Sequence, residues 1–389
     1  MNNYLFTSES VTEGHPDKVC DQISDTILDA ILQNDPEGRV ACETLVTTNL
    51  VVISGEITTK NHPDYEGIVR DTIRKIGYTD ASSSFDADGV DIKIYIDEQS
   101  SHIAQGVDVD TDHEQGAGDQ GLMFGFACNE TKELMPAPIY YSHLILETLA
   151  KSRHNGNEKL LLPDSKSQVS LDYKNGKPYR ASAIVVSTQH DPSLKQKDVK
   201  EIIRPYVVNS LPEGWMCDEK NFFVNPTGRF VIGGPVGDCG LTGRKIIVDT
   251  YGGFSRHGGG AFSGKDPSKV DRSAAYMARY VARRVVGSGL AERCELQLAY
   301  SIGIAEPVSI LANTFGTGIT NDKEITKLIS DCFDFKPYSI IRYLNLKKPI
   351  YKNLAAYGHF GRNEYPWEID KKNKAFMRAV KDRLLWKIL

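Results

Sequence analysis

A glycine-rich stretch that leads into charged residues is the part of the sequence best suited to chemistry. Twelve of the 33 glycines lie between residues 228 and 264, and such a backbone can turn sharply or approach a ligand closely. Residues 258–266, GGGAFSGKD, nearly match the phosphate-binding pattern G-x-x-x-x-G-K-[ST], but Asp266 stands where a hydroxyl residue would hold Mg²⁺. The apolar run 245–251 is predicted to be a strand that ends eight residues before Gly259. A true P-loop is therefore not expected.

Two ammonium groups and a carboxylate lie within seven residues at the end of this loop. They belong to Lys265, Lys269 and Asp271, and we predict a helix here whose first turn contains residues 266–268. Free N–H groups at a helix start favour anions, and this set of charges suits a phosphate chain with a divalent cation. The alternative is an ordinary charged helix start.

Two further glycine loops carry isolated charges. Residues 237–245, GDCGLTGRK, are predicted to turn and lead Arg244 and Lys245 into the strand named above, with Asp238 near the beginning of the loop. Opposite charges beside glycines suggest a ligand with both amine and phosphate character, although many strands begin with solvated basic residues. Residues 116–121, GAGDQG, contain the carboxylate of Asp119. Each of these loops is a weak signal when it is taken alone.

The segment 14–18, GHPDK, places His15, Asp17 and Lys18 at the start of a predicted helix. These side chains could supply a phosphate contact, a Mg²⁺ ligand and a further cation. A carboxylate in the first turn also stabilises a helix by itself. Judged in isolation, helix capping is the simpler explanation for Asp17.

A helix, a strand pair and a second helix recur three times along the chain. Apolar residues at helical spacing predict the helices, and β-rich runs around turn residues predict the strands, as at the predicted turn Asn175-Gly176. The strand pairs begin near residues 39, 167 and 294, at spacings of 128 and 127 residues. The predicted helices are 15–34, 63–76, 139–152, 196–211, 270–286 and 324–332, and the strand pairs are 39–59, 167–189 and 294–315, with another strand from residue 90.

This order predicts an α/β fold of three similar domains. Their mainly antiparallel or mixed sheets are expected to be covered by helices on one face. We place the domains at 1–115, 116–236 and 237–389, and the division permits exchange of elements between them.

Composition limits the class of function. The 389 residues are 40% hydrophobic and 25% charged, as in an ordinary globular protein, and the net charge of −5 argues against a general nucleic-acid binder. No apolar run approaches 18 residues and no signal peptide is recognisable, so neither a membrane span nor secretion is expected. The seven cysteines are scattered without metal-binding spacing, which predicts reduced thiols in a cytoplasmic protein.

Taken together, the four charged segments resemble the signatures of the methionine adenosyltransferase (S-adenosylmethionine synthetase) family, most closely its bacterial form. The matching stretches occur in one chain and in order: GHPDK, GAGDQG, GDCGLTGRK and GGGAFSGKDPSKVDR. Further similar stretches are FTSESVTEGHPDK, DSKSQV at 164–169, NPTGRFVIGGP at 225–235 and AAYGHFGR at 355–362. The resemblance runs nearly end to end, and it implies a pseudo-threefold arrangement of three domains.

The resemblance implies synthesis of S-adenosylmethionine from ATP and L-methionine. The methionine sulfur attacks C5′ of ATP and displaces triphosphate, which is then hydrolysed to pyrophosphate and phosphate. A neutral thioether loses no proton during the attack, so positioning and electrostatic stabilisation of the leaving group matter more than a general base.

The resemblance also implies a role for each site residue. His15 would lie near the bridging oxygen, and the phosphates would be bound by Lys166, Arg244, Lys245 and Lys265. Two Mg²⁺ would be held by Asp17 and Asp271, and K⁺ by Glu43. Methionine and adenosine would be contacted by Glu56, Gln99, Asp119, Asp164, Arg229, Phe230, Asp238, Ala261 and Lys269, with Phe230 on the adenine ring. Without the family match, simple surface exposure explains Glu43 and Glu56.

One segment departs from the family pattern. Residues 99–103 are Gln-Ser-Ser-His-Ile, where the family commonly has Gln-Ser-Pro-Asp-Ile. Loss of the proline is expected to free the backbone of this loop, which affects gating more than chemistry. The resemblance further implies a homodimer or homotetramer with active sites at the dimer interface.

Two other functions remain open at this point. An ATP-dependent phosphoryl transferase would use the same cations on the γ-phosphate and would release ADP. A non-catalytic nucleotide-binding regulatory subunit is expected to lack some of the charged residues that this sequence retains, among them His15, Asp17, Lys265 and Asp271.

Overall fold

Helices alternate with antiparallel strand pairs along the chain, in the order expected from the sequence. The computed structural model describes residues 3–98, 115–369 and 374–383. The strands are β1 (Tyr4–Val11), β2 (Arg39–Thr47), β3 (Leu50–Thr58), β4 (Asp91–Asp97), β5 (Gly121–Cys128), β6 (Leu161–Lys174), β7 (Lys177–His190), β8 (Phe222–Val224), β9 (Gly240–Leu241), β10 (Arg293–Tyr300) and β11 (Ser309–Asn313). The helices are α1 (Pro16–Asn34), α2 (Tyr65–Ile76), α3 (Ala137–His154), α4 (Gln196–Ser210), α5 (Ile246–Asp249), α6 (Val270–Gly287), α7 (Asp322–Cys332), α8 (Pro337–Leu344) and α9 (Lys374–Arg383).

In the described ranges the strands form three sheets, each built around one of the predicted strand pairs. The strand orders are β4-β3-β2-β9, β1-β6-β7-β8 and β11-β10-β5, and the central pairs β2–β3, β6–β7 and β10–β11 are antiparallel. Every sheet also takes a strand from a distant part of the chain, namely β9, β1 or β5. The sheets are thus antiparallel or mixed as predicted, while the domain boundaries stay a prediction.

The hairpin β6–β7 shows how local sequence sets the strand pairing. Its turn residues Asn175 and Gly176 both have positive φ values, 55° and 77°. Two consecutive positive φ values define the tight turn that matches the right-handed twist of paired strands, and Asn-Gly is its preferred sequence. The turn predicted from these two residues is therefore confirmed.

Two hydrophobic cores are formed by the residues that the structure describes. One core is continuous between α1, α6 and the first and third sheets, and it includes Val19, Ile53 and Leu296. A second core lies between α3, α4 and the second sheet. Helices α1 and α6 meet within this core, where Arg272 in the first turn of α6 forms an ion pair with Asp25 in the middle of α1. Among the described residues, no helix is both long enough and apolar enough to cross a membrane.

The strand predicted at residues 245–251 is wrong. Residues Ile246–Asp249 form the one-turn helix α5, in which the N–H of Asp249 donates to the carbonyl of Lys245 at 2.8 Å. β-branched residues favour strands only where the tertiary surroundings offer a neighbouring strand. Here the helical turn brings the Asp249 carboxylate onto the ammonium of Lys18 instead.

The helix predicted at residues 270–286 is present as α6, but the prediction that its first turn contains residues 266–268 is wrong. The helix begins at Val270, so residues 266–268 precede it instead of forming its first turn. The N–H of Asp266 donates to the carbonyl of Val40 at 3.0 Å, and the N–H of Cys42 donates to Gly264 at 2.9 Å. The segment is therefore held along β2 before the helix starts. The strand predicted from residue 294 likewise ends early, at Tyr300.

Candidate active site

His15 lies at the N-terminal end of α1 and is buried. It caps the helix, because its Nδ1 accepts the N–H of Asp17 at 3.2 Å. Burial, together with the positive charges of Lys245 and Lys166, lowers the pKa of His15 to about 3. The imidazole is therefore neutral near pH 7. With Nδ1 accepting, its proton is on Nε2, where it can be donated to a ligand oxygen.

Asp17 joins the first motif of the sequence to the segment 237–245. Its Oδ1 accepts the N–H of Leu241 at 3.0 Å, and its Oδ2 forms an ion pair with Lys245. Burial alone would raise the pKa of Asp17, but the hydrogen bonds from Lys245 and Leu241 outweigh it and lower the pKa. Asp17 is therefore a charged group held beside a candidate phosphate-binding lysine, and it does more than cap a helix.

Asp164 adds a third segment to this group. It is buried, and its Oδ2 accepts the N–H of Gly234 at 2.8 Å. Its Oδ1 has no hydrogen-bond partner within the described part of the chain. Burial raises the pKa of Asp164 to about 6, against the opposing charges of Lys166 and Lys245 and with a raising contribution from Asp238. A buried acceptor atom without a partner is suited to receive a hydrogen bond from a ligand.

These contacts define the first cluster. Its members lie within hydrogen-bonding or electrostatic range of one another, although they come from widely separated segments: His15, Asp17, Asp164, Lys166, Asp238 and Lys245.

The second cluster lies where the glycine-rich loop meets the hairpin β2–β3. Lys265 Nζ is 2.7 Å from Asp271 Oδ2, and the backbone of Lys265 forms a bridge with Ala41 on β2. In the hairpin register Ala41 faces Glu56 on β3. Burial raises the pKa of Glu43, two residues further along β2, while the charge of Lys265 lowers it and that of Glu56 raises it. The second cluster therefore consists of Glu43, Glu56, Lys265 and Asp271.

Two glycines permit the close approach of these loops. A Cβ on Gly260 would lie 2.2 Å from Asp271 Oδ1, and a Cβ on Gly243 would lie 2.5 Å from the Cβ of Ala261. A side chain at Gly243 would clash with Ala261, and one at Gly260 would displace the Asp271 carboxylate, so these two glycines have the packing role expected from the sequence. The contact at Gly243 and Ala261 places the loop of Lys245 against the loop of Lys265. Lys269 forms an ion pair with Asp266 beside them.

Within the described part of the chain, other predicted site residues form no hydrogen bond or ion pair with the side chains of either cluster. Arg229, Arg244 and Asp119 are exposed, and the Asp119 carboxylate accepts only the N–H of Gln120. Phe230 is half-buried, and its N–H donates to Nε2 of His190 at 3.1 Å. Gln99, together with the departing loop sequence, lies outside the described residues.

Buried ion pairs beneath the clusters were not predicted. Lys18 lies between Asp21 and Asp249 with no solvent exposure. Asp25 similarly binds Arg272 of α6. The four-residue spacing of the aspartates along α1, at 17, 21, 25 and 29, is the signal that could have revealed them.

The donor groups suit a metal that binds together with a phosphate ligand. Among the described residues, no three His, Cys, Asp or Glu side chains converge on one point. Asp17 and Asp271 instead offer single carboxylates beside lysines. Nucleotide-bound Mg²⁺ is commonly held by one or two carboxylates plus substrate phosphates. The residues present therefore fit such an ion, whereas they do not form a metal cage made of protein alone.

Comparison with known proteins finds matches along most of the chain. Three models of S-adenosylmethionine synthetase domains match: the N-terminal domain at residues 3–101, the central domain at 114–230 and the C-terminal domain at 232–369. A curated S-adenosylmethionine synthase from Maridesulfovibrio salexigens is 58% identical over 368 residues, which cover 94% of this chain and 95% of that protein. The chain therefore belongs to the S-adenosylmethionine synthetase family.

Proposed function

We propose that the two clusters form the active site in which this chain makes S-adenosylmethionine from ATP and L-methionine. The activity itself follows from membership of the family along the full length. The observation that supports this location is the repeated pairing of a lysine with a carboxylate, Lys245 with Asp17 and Lys265 with Asp271. Each pair offers one group for phosphate oxygen and one for a metal ion.

The described residues suit the departure of a triphosphate. The attacking thioether is neutral, so the chain needs no general base, and the negative charge develops on the phosphate side of the broken C5′–O bond. Lys166, Lys245 and Lys265, together with Arg244, stabilise that charge. Neutral His15 donates its Nε2 proton in a hydrogen bond to the departing oxygen, without placing another full cation among the lysines.

The remaining site residues are proposed to hold the two substrates. Glu56 pairs with the methionine ammonium and Lys269 with its carboxylate, while Gln99 and Asp119 complete the methionine contacts. The adenosine half is proposed to contact the following residues: Asp164, Arg229, Phe230, Asp238 and Ala261. The buried Oδ1 of Asp164 supports its assignment, since it is an acceptor that lacks a protein donor in the described part of the chain.

The family is metal-dependent, and we propose two Mg²⁺ and one K⁺ per site. Asp17 and Asp271 are the carboxylates that would hold the Mg²⁺, and Glu43 would hold the K⁺. When bound, Mg²⁺ supplies positive charge that offsets the charge of the triphosphate. Glu43 is exposed and lies within electrostatic range of Lys265, so an oxygen donor is present near the phosphate-binding side chains.

We also propose a homodimer or homotetramer with active sites at the dimer interface. Exposed apolar side chains on strands of the first and third sheets support this. Tyr95 of β4 is 62% exposed, Leu122 of β5 is 42% exposed and Leu311 of β11 is 46% exposed. Covering such side chains with a second copy would remove apolar surface from water. Seven free cysteines support a cytoplasmic location, where thiols stay reduced.

Product analysis tests the proposed reaction. The chain is incubated with ATP, methionine, Mg²⁺ and K⁺, and the products are separated by chromatography. S-adenosylmethionine with pyrophosphate and phosphate is expected. ADP in place of these products would indicate a phosphoryl transferase, and no product from correctly folded chain would indicate a non-catalytic nucleotide-binding subunit.

A further inference from the structure

Four aspartates on one face of α1 accept backbone N–H groups from distant segments. They are spaced by four residues, so they lie along one stripe of the helix. Asp17 accepts Leu241, Asp21 accepts Gly243 at 2.8 Å and Asp25 accepts Gly264 at 2.9 Å. Asp29 accepts the N–H groups of Tyr351 and Lys352, at 2.9 Å each for the shortest contacts. These hydrogen bonds therefore fix the backbone of the two glycine loops at residues 237–245 and 258–266 relative to the rigid helix α1.

Asp25 is the member of the stripe that is tied to the second cluster. Its two carboxylate oxygens receive Nη1 and Nη2 of Arg272 at 2.7 and 2.8 Å. Both side chains are fully buried. Such a two-pronged pair fixes orientation as well as distance, because the guanidinium plane must align with the carboxylate.

Arg272 extends this pair to the backbone that carries Lys265. Its Nη1 also donates to the carbonyl of Lys265 at 3.2 Å, while Asp25 holds the N–H of the preceding residue, Gly264. Arg272 directly follows Asp271 in the first turn of α6. The Nε of Arg272 donates to the Tyr276 hydroxyl at 3.0 Å, so the guanidinium is held from the helix side as well. The same ion pair thus constrains both partners of the Lys265–Asp271 pair through their backbone.

We propose that Asp25 and Arg272 are positioning residues for adenosyl transfer. They set the Lys265 ammonium and the Asp271 carboxylate relative to each other and to helix α1, which carries Asp25. Neither residue touches substrate, since both are buried beneath the loop. The inference rests on the proposed role of Lys265 at the triphosphate.

Arg272→Lys tests the proposal with the buried charge retained. A lysine cannot span both oxygens of Asp25 and the carbonyl of Lys265 with the same fixed geometry. We expect the turnover number to fall about tenfold or more, since small displacements of a charged group at the reacting centre have large effects on rate. The KM for methionine is expected to change little, because no methionine contact is altered.

Asp29→Asn is the matched control. Asp29 lies on the same face of α1, is similarly buried, and also accepts backbone N–H groups, but it holds residues 351–352, which carry no candidate site residue. An asparagine oxygen can keep one of these hydrogen bonds. The turnover number of the Asp29→Asn variant is expected to stay within about twofold of the original chain, even if its melting temperature falls.

A double-mutant cycle separates positioning from general destabilisation. If Arg272 acts through Lys265, then Arg272→Lys adds little further loss in a Lys265→Ala background. Asp25→Asn gives a second measurement of the same kind, because its amide oxygen still accepts the N–H of Gly264 while the ion pair is lost. The Asp25→Asn variant replaces Arg272→Lys in this test if the Arg272→Lys chain does not fold.

One set of results would contradict the positioning role alone, and another would contradict the proposed role of Lys265. Full additivity of the two losses, or a turnover number of Arg272→Lys within about twofold of the original chain, would overturn the positioning role and leave the proposed function intact. A Lys265→Ala chain that keeps its full rate would instead overturn the proposed role of Lys265, and the positioning role with it.

Discussion

Lys265 Nζ lies 2.7 Å from Asp271 Oδ2, and both side chains are about one-quarter exposed. Lys245 and Asp17 form the corresponding pair in the first cluster. In each pair a group proposed to bind phosphate neutralises a group proposed to bind metal. A metal–triphosphate complex brings the opposite charges, so each partner can exchange its neighbour for a ligand atom without leaving an isolated charge. This relationship gives the site its expected response to substitution.

Removal of the Lys265 ammonium should impair catalysis far more than folding. We expect Lys265→Ala to lower the turnover number by about 10²–10³-fold, the usual effect of deleting one group that stabilises developing charge. The free energy of unfolding should change by less than about 1 kcal/mol, because the ion pair is partly solvated. Steady-state kinetics and thermal unfolding measure the two effects. Lys151→Ala is the control, since Lys151 forms an exposed helix pair with Glu147 away from the clusters, and it should change neither.

Loss of the Asp17 charge should weaken the response to Mg²⁺. Asp17→Asn keeps an oxygen for the N–H of Leu241 but removes the proposed metal ligand, so the Mg²⁺ concentration for half-maximal activity should rise about tenfold or more. A titration of activity against Mg²⁺ at saturating ATP measures this. Asp172→Asn, at a surface carboxylate paired with Arg180, should leave the titration unchanged. An unchanged titration for Asp17→Asn as well would contradict the assignment of Asp17.

His15 should contribute to the acid sensitivity of folding. Its pKa is lowered to about 3 in the folded chain, against about 6.5 in an unfolded chain. The unfolded state therefore binds a proton that the folded state does not, and the contribution of His15 to stability is complete above about pH 6.5 and is lost as the pH falls toward 3.

His15→Asn should make the free energy of unfolding less dependent on pH in this window. Asparagine is a good helix cap and can accept the N–H of Asp17, so the comparison isolates the titrating group. Denaturant unfolding at several pH values between 4 and 7.5 measures the slope. The same substitution at exposed His62 is the control. Equal slopes for His15→Asn and the original chain would show that the imidazole is not held neutral by burial.

Mixing two inactive chains should restore activity if the site is shared across a dimer. Lys265→Ala and Asp17→Asn chains, each defective alone, would form mixed dimers in which one site has both original residues. After subunit exchange the activity should approach about a quarter of the original value. A mixture that stays inactive, although light scattering shows mixed dimers, would place both residues of a site in one chain.

The sequence predicted the repeated elements well, because these depend on local signals. The Asn175–Gly176 turn and the apolar stripes of α1 and α6 are clear in the sequence and present in the structure. The strand predicted at residues 245–251 is absent because Asp249 contacts Lys18, which lies 231 positions away in the chain. This contact stabilises a helical turn where composition favours a strand. The exchange of β1, β5 and β9 between sheets depends on similarly distant pairing.

The site residues were predicted from sequence motifs, whereas the buried ion pair that holds them in place was not. The motif residues could be named individually, and the structure brings Asp17 to Lys245 and Lys265 to Asp271. The role of Arg272 was not predicted, because an arginine next to an aspartate at the start of a helix is typical of an ordinary solvated helix. Only the partner at Asp25, on a different helix, shows that it faces the interior.

Isotope labelling tests the central claim, that sulfur displaces the whole triphosphate from C5′, most directly. ATP is prepared with ¹⁸O in the oxygen that bridges C5′ and the α-phosphorus, and is converted with methionine, Mg²⁺ and K⁺. Attack at carbon breaks the C5′–O bond, so the account predicts that all the label leaves in the inorganic phosphate products and none in S-adenosylmethionine. Label retained on the nucleoside product would show that a P–O bond is broken instead, and would contradict the account.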